Sequence, residues 1–131
     1  MSMTDTVADL LTRMRNGKGA KHKYVDAPFS TLNRAILDVL RERGYILNYL
    51  VSEKKYKIRV FLKYKAKTNE SVIHDLKMVS KPGARQYVGY REIPRVLSGL
   101  GTAVLSTPSG VVDGMKAREL KVGGELLCLV W

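Results

Sequence analysis

The C-terminal run Glu125-Leu126-Leu127-Cys128-Leu129-Val130-Trp131 constrains the fold more than any other part of the chain. Past Glu125 every residue is apolar, which reads as a strand buried on both faces and not as one with a wet side. Gly123-Gly124 precedes the run, turns the chain and aims Glu125 from the start of the strand. Upstream lies a small-polar loop, Ser106-Thr107-Pro108-Ser109-Gly110. Short hydroxyl side chains and a glycine let a backbone approach a ligand closely. A polar loop beside a rigid buried element suits a binding site.

With 131 residues, 45% of them hydrophobic, the chain can build a real core as one domain or two intimate half-domains. Its 23 Lys and Arg outweigh 12 Asp and Glu, for a net charge of +11. A compact protein with that charge repels itself unless a polyanion neutralises it. Nucleic acid is the leading partner and an anionic membrane surface the second. No apolar stretch approaches the roughly 18 residues needed to span a bilayer, so no membrane partner is expected. Met1-Ser2-Met3-Thr4-Asp5 lacks the regions of a signal peptide, and Asp5 and Asp9 disfavour a transit peptide. A single cysteine, Cys128, cannot pair internally, which points to a reducing, cytosol-like compartment and a buried thiol.

The charge is uneven. Residues 1–65 hold 14 Lys and Arg against 6 Asp and Glu; residues 66–131 hold 9 against 6. The expected organisation is therefore a basic N-terminal half over 1–65 and a C-terminal half over 66–131 that carries the polar loop. The polar stretch 66–70 serves as the junction. Charge in the first half would hold a polyanion while the second half discriminates.

Thr4 is the expected N-cap of a first helix with Val7, Leu10, Leu11 and Met14 on one face, broken at Asn16-Gly17. Arg13 and Arg15 at the helix end, with Lys18, Lys21 and Lys23 beyond it, form a tract with no acid among them. They read either as a solvated helix end or as phosphate contacts. A short strand over 24–27 and a helix capped by Ser30 and ended by Gly44 come next, then a strand over 45–51. Residues 55–65 alternate: Tyr56, Ile58, Val60, Leu62 and Tyr64 one way; Lys55, Lys57, Arg59, Lys63 and Lys65 the other, with Phe61 interleaved. The second set is either a solvated face with edge lysines or a cationic ribbon for nucleic acid. The second half reads as strands over 71–80, 85–90, 102–106 and 125–131. Short helices are expected over 94–100, begun by Pro94, and within 112–120.

Catalytic signatures are missing. His22 and His74 have no ligand partners at metal spacing, and no phosphate loop, nucleophile elbow or dinucleotide fingerprint occurs. No cofactor, metal or small-molecule substrate is expected.

Four blocks in one order carry a resemblance over nearly the whole chain. They are the stretch from Met3 to Gly17; Val79-Ser80-Lys81-Pro82-Gly83; Glu92-Ile93-Pro94-Arg95-Val96-Leu97; and Ala117-Arg118 followed by the stretch from Gly123 to Cys128. Together they resemble the bacterial small-subunit ribosomal protein S-eight family. The resemblance implies an α/β (α+β) fold of two half-domains: two helices on a three-stranded sheet, then a mostly β half with short helices. It implies a ribosome-associated, cytoplasmic protein that is not an enzyme. Its partners would be the central domain of small-subunit ribosomal RNA and neighbouring small-subunit proteins, with a role in building the platform. The implied RNA-reading residues are Ser106, Thr107 and Gly110 in the loop, Gly124 and Glu125 in the turn, and Tyr87 beside them. At the loop centre the family usually has serine then lysine, whereas this chain has Pro108 and Ser109, the latter returning a hydroxyl one position later. The competing readings are a small RNA-cleaving or RNA-processing enzyme, a translational repressor of its own messenger RNA, and a basic membrane-surface protein.

Overall fold

The computed structural model describes residues 3–131, with side chains from Thr6 onward. The chain forms two compact units, one ending at His74 and the other spanning Asp75–Trp131.

In the first unit, α1 (Met3–Gly19), β1 (Tyr24–Pro28), α2 (Thr31–Glu42), β2 (Ile46–Ser52) and β3 (Lys57–Leu62) follow in order. The strands form an antiparallel sheet ordered β1-β3-β2. The helical face expected of α1 is buried: Val7, Leu10, Leu11 and Met14 are at most 2% exposed. Ile36, Leu37 and Leu40 of α2 and Ile58, Val60 and Leu62 of β3 are buried as well; α1 packs on α2, β1 and β3, and α2 on β2. Each such side chain is worth about 1.5–3 kcal/mol on burial. Ser30 caps α2 through its Oγ, which accepts from the Asn33 amide at 2.9 Å. Asn33 itself is fully buried, and its Nδ2 donates to the Thr6 and Pro28 carbonyls, tying α1, β1 and α2 together. At its other end α2 closes at Gly44, where the Gly44 amide donates to Arg41 and the Tyr45 amide to Leu40.

Several sequence expectations need correction here. The cap expected at Thr4 concerns a side chain outside the described ones, and the backbone is already helical at Met3. Helix α1 is not broken at Asn16-Gly17 but runs on to Gly19, so Lys18, expected beyond the break, lies in its last turn. Gly17 is there for space: a Cβ would stand 2.2 Å from Val25 Cγ1 of the strand beneath. Tyr56 does not join the packed face. It is 75% exposed in the turn before β3 with φ of 51°. The stretch expected to divide the halves, 66–70, lies within the first unit. Lys65 donates its amide to the Glu70 carbonyl, and Val72 donates to Lys63, so this stretch folds back along the end of β3.

The second unit contains β4 (Leu76–Met78), β5 (Tyr87–Val88), β6 (Thr102–Thr107), β7 (Gly110–Asp113), α3 (Gly114–Leu120) and β8 (Gly124–Val130). The apolar C-terminal run is the central strand. β8 pairs with β6 along one side and with β4 and β5 along the other, all antiparallel. Leu126, Leu127, Cys128 and Val130 are buried, as an apolar run demands. Helix α3 covers β6 and is capped by Asp113, whose Oδ1 accepts from the Lys116 amide at 2.8 Å. The strands expected over 71–80 and 85–90 shrink to three and two residues. Pairing reaches only as far as β8 does on that side. The helix expected from Pro94 is a tight turn over Val96–Gly99 with Leu97 and Ser98 left-handed. Residues 110–113 form a strand that the sequence pattern did not announce, so the polar loop is a hairpin turn between β6 and β7.

Complete burial pushes the Cys128 thiol up to about 12. The thiolate is the reactive form, so at neutral pH disulfide-exchange reagents will label Cys128 only at the rate of unfolding. Labelling of the native protein at the rate of a free thiol would contradict the buried position of β8.

Candidate nucleic-acid interface

Strand register assembles the polar site of the second unit. Tyr87 on β5 pairs with Glu125 on β8; Glu125 pairs with Ser106 on β6; Ser106 pairs with Val111 on β7. Three residues far apart in sequence therefore stand in one row across the sheet. Tyr87 is 70% exposed, and neither its hydroxyl nor that of half-buried Ser106 has a hydrogen-bond partner among the described residues. One is a broad amphipathic ring and the other a short hydroxyl, both open to a ligand.

Gly123-Gly124 sets the spacing. A Cβ on Gly124 would lie 2.1 Å from the Ser106 carbonyl oxygen, and one on Gly123 would lie 2.3 Å from that of Val88. Both obstacles are backbone, so no side-chain movement relieves them. β8 can enter between β5 and β6 this tightly only with two glycines at its mouth.

The hairpin turn closes on itself. Thr107 pairs with Gly110. Thr107 Oγ1 donates to the Gly110 carbonyl at 2.8 Å and accepts from the Ser109 amide at 3.1 Å. Its hydroxyl proton is thus engaged within the turn, leaving it an acceptor toward solvent. Pro108 and Ser109 have negative φ, and Gly110 carries the left-handed conformation at 107°. Proline suits the first central position of such a turn.

Glu125 is not a bare anion. The buried Ser80 hydroxyl donates to its Oε2, and Arg85 Nη1 lies 3.3 Å from the same oxygen. Ser80 Oγ also accepts from the Gln86 amide. One carboxylate oxygen is held and neutralised; Oε1 remains as an acceptor. Ser80 and Arg85 are site residues that sequence reasoning missed. Their positions within the stretch around Lys81-Pro82-Gly83 are the only signal, and it resembles a plain turn.

The cations of the first unit divide into engaged and free groups. Arg13 donates to Asp9 at 2.8 Å and to the Asp26 carbonyl at 3.0 Å. Lys21 donates to the Asn69 carbonyl at 2.6 Å and lies over the Tyr64 ring. Arg59 forms a two-pronged pair with the Asp26 carboxylate at 2.9 and 3.2 Å and stacks over Tyr24 at 4.1 Å. Arg15 is exposed. The ammonium groups of Lys18, Lys23, Lys55 and Lys57 make no ion pair or hydrogen bond among the described residues. Asp26 joins α1 to β3 by meeting both arginines. Nothing near it in sequence announces this, because its partners lie 13 and 33 positions away. The Arg59 hydrogen bond is the largest cause holding the Asp26 carboxyl below its ordinary value of 3.8. No group of three or more His, Cys, Asp or Glu able to hold a metal occurs among the described residues.

The family model described as ribosomal protein S8 matches residues 5–131. The protein named small ribosomal subunit protein uS8 from Porphyromonas gingivalis is 51% identical over 131 residues, covering 98% of this chain and all of the relative. The protein of the same name from Dictyoglomus thermophilum is 52% identical, and that from Acidobacterium capsulatum 50%, each alignment covering the whole of both chains.

Gly124→Ala is expected to destabilise the protein by about 1–3 kcal/mol in chemical denaturation, the usual scale for forced overpacking. A change within about 0.5 kcal/mol, an ordinary surface effect, would show that the strands are free to separate. A folded-state carboxylate held below 3.8 contributes stability above that pH and loses it as pH falls through the lowered value. The wild-type chain should therefore lose more stability between about pH 5 and about pH 2 than Asp26→Asn does. Parallel pH profiles would remove the Arg59 pair from the fold's acid response.

Proposed function

The chain belongs to the ribosomal protein S8 family, and from that premise we propose that it is a structural protein of the small ribosomal subunit. In this reading it binds directly to the central domain of the small-subunit RNA and helps assemble the platform. It works in the cytoplasm, on the ribosome, beside other small-subunit proteins.

The observation that carries the RNA reading is the row of Tyr87, Glu125 and Ser106, bordered by the Thr107–Gly110 turn. Duplex RNA hides its base edges in a deep groove, so proteins read the wide groove, the 2′-hydroxyls and local distortions. The row offers an exposed aromatic ring, a free hydroxyl and a half-neutralised carboxylate oxygen. Glu125 accepts from a sugar hydroxyl or a base amino group, while Arg85 offsets its repulsion of nearby phosphates. Ser109 adds a hydroxyl at the turn, and Gly110 lets the turn approach the backbone of the RNA.

Phosphate holding falls to cations that make no ion pair or hydrogen bond among the described residues. Lys18 and Lys23, at and beyond the end of α1, fit this best. Arg13 and Lys21 are held internally and contribute field more than direct contact.

The test is titration of the purified chain with a central-domain RNA fragment and with a scrambled duplex across a range of salt. Ser106→Ala combined with Tyr87→Ala is expected to cost about 1–3 kcal/mol of selective binding and to leave binding to the scrambled duplex unchanged. Neutralising Lys18 and Lys23 should weaken both RNAs alike and reduce the salt slope by about one unit for each phosphate left without its cation. Equal affinity of the wild-type chain for the two RNAs would refute the reading.

A further inference from the structure

The outer face of the β1-β3-β2 sheet is a feature of the first unit that RNA holding does not use. The inner face of β3 is sealed, with Ile58 and Val60 fully buried, but the outer face carries aliphatic groups in water. Leu50, in register with Arg59, is 59% exposed, and Leu47, at the bulge in β2, is 61% exposed. A depression of about 410 Å³ lies here, lined by Asp26, Leu50, Lys55, Lys57 and Arg59 among others.

The chemistry of this face disfavours RNA. Base stacking needs an open ring, yet Tyr24 carries the Arg59 guanidinium on one face and Phe61 at its side, with ring centroids 6.1 Å apart. Arg59 is neutralised by Asp26 and has little charge to offer a phosphate. What remains open is Leu50 beside Lys55 and Lys57 in the depression, with Leu47 farther along β2 at its other end; neither ammonium group makes an ion pair or hydrogen bond among the described residues. Exposed leucines gain nothing from a phosphodiester chain; they gain by burial against aliphatic side chains. The lysines favour carboxylates on the same partner.

We propose that this face docks an acidic, aliphatic segment of a neighbouring protein in the assembled particle. The segment lays Leu, Ile or Val side chains on Leu47 and Leu50 and sets Asp or Glu against Lys55 and Lys57. This rests on the ribosomal reading above, which supplies the particle in which such a neighbour is met.

The experiment places a benzophenone amino acid at position 50 of the full chain and assembles it into small-subunit particles. Irradiation is followed by mass-spectrometric mapping of the cross-link. The expected product joins position 50 to one ribosomal protein within a segment rich in acidic and aliphatic residues. Lys55→Glu with Lys57→Glu should lower its yield about tenfold, the scale of truncating an energetically important interface residue. A cross-link to RNA or to a second copy of the chain, no cross-link, or a yield indifferent to charge reversal would each overturn the proposal. The same double variant, titrated with the central-domain fragment alone across a range of salt, should keep the wild-type salt slope, since no phosphate loses a direct contact. A slope reduced by about one or two units there would assign the two lysines to RNA and overturn docking. Failure of the wild-type chain to bind the fragment would overturn the RNA reading, and this one with it.

Discussion

The close approach of β8 to its neighbours is the constraint on which the second unit depends. Gly123 and Gly124 let that strand enter where any Cβ would strike the carbonyls of Val88 and Ser106. Once there, its apolar residues seal the core, and its first polar residue, Glu125, is carried to a fixed height between Tyr87 and Ser106. Core and site are thus set by one strand. A side chain presented from a ladder flanked by strands on both sides loses little further freedom on binding, which is the physical basis of a preorganised surface.

Charge is managed differently in the first unit. Net positive charge alone would cast every lysine and arginine as a phosphate contact. The structure divides them: Arg13 and Arg59 converge on Asp26, Lys21 closes on Asn69, and Lys18, Lys23, Lys55 and Lys57 keep their charge for solvent or a partner. Exposed pairs such as Arg59 with Asp26 add little stability; their effect is to select which cations stay free.

Much of the fold is legible in the sequence, and the failures have causes. Helical spacing in α1 and α2 and the Ser30 cap are local properties and appear where expected, while the alternation expected over 55–65 holds as a strand only over Lys57–Leu62, leaving Lys55 in the preceding turn. The buried C-terminal strand is legible because six consecutive apolar residues leave few other places to go. The helix break at Gly17 fails because glycine serves packing against Val25, which lies on another element. Tyr56 fails because period-two alternation does not mark where a strand begins. β7 is hidden because the Thr107–Gly110 hairpin looks in sequence like an open loop. At the site, the family resemblance names Tyr87, Ser106 and Glu125, but no spacing in the chain shows that they share a row. Ser80 and Arg85 stay hidden because their role depends on a partner 40 to 45 positions away.

Amide hydrogen exchange in the free protein and in complex with the RNA fragment tests preorganisation most directly. Glu125 and Leu126 lie where β8 is bracketed by strands, and the Leu126 amide donates to the Gln86 carbonyl at 2.9 Å. Slow exchange of these amides before RNA is added, with little change after, is the result expected of a row built by the fold. Exchange at open-chain rates in the free protein, slowing only on binding, would mean that RNA creates the surface and would contradict the central role given to β8.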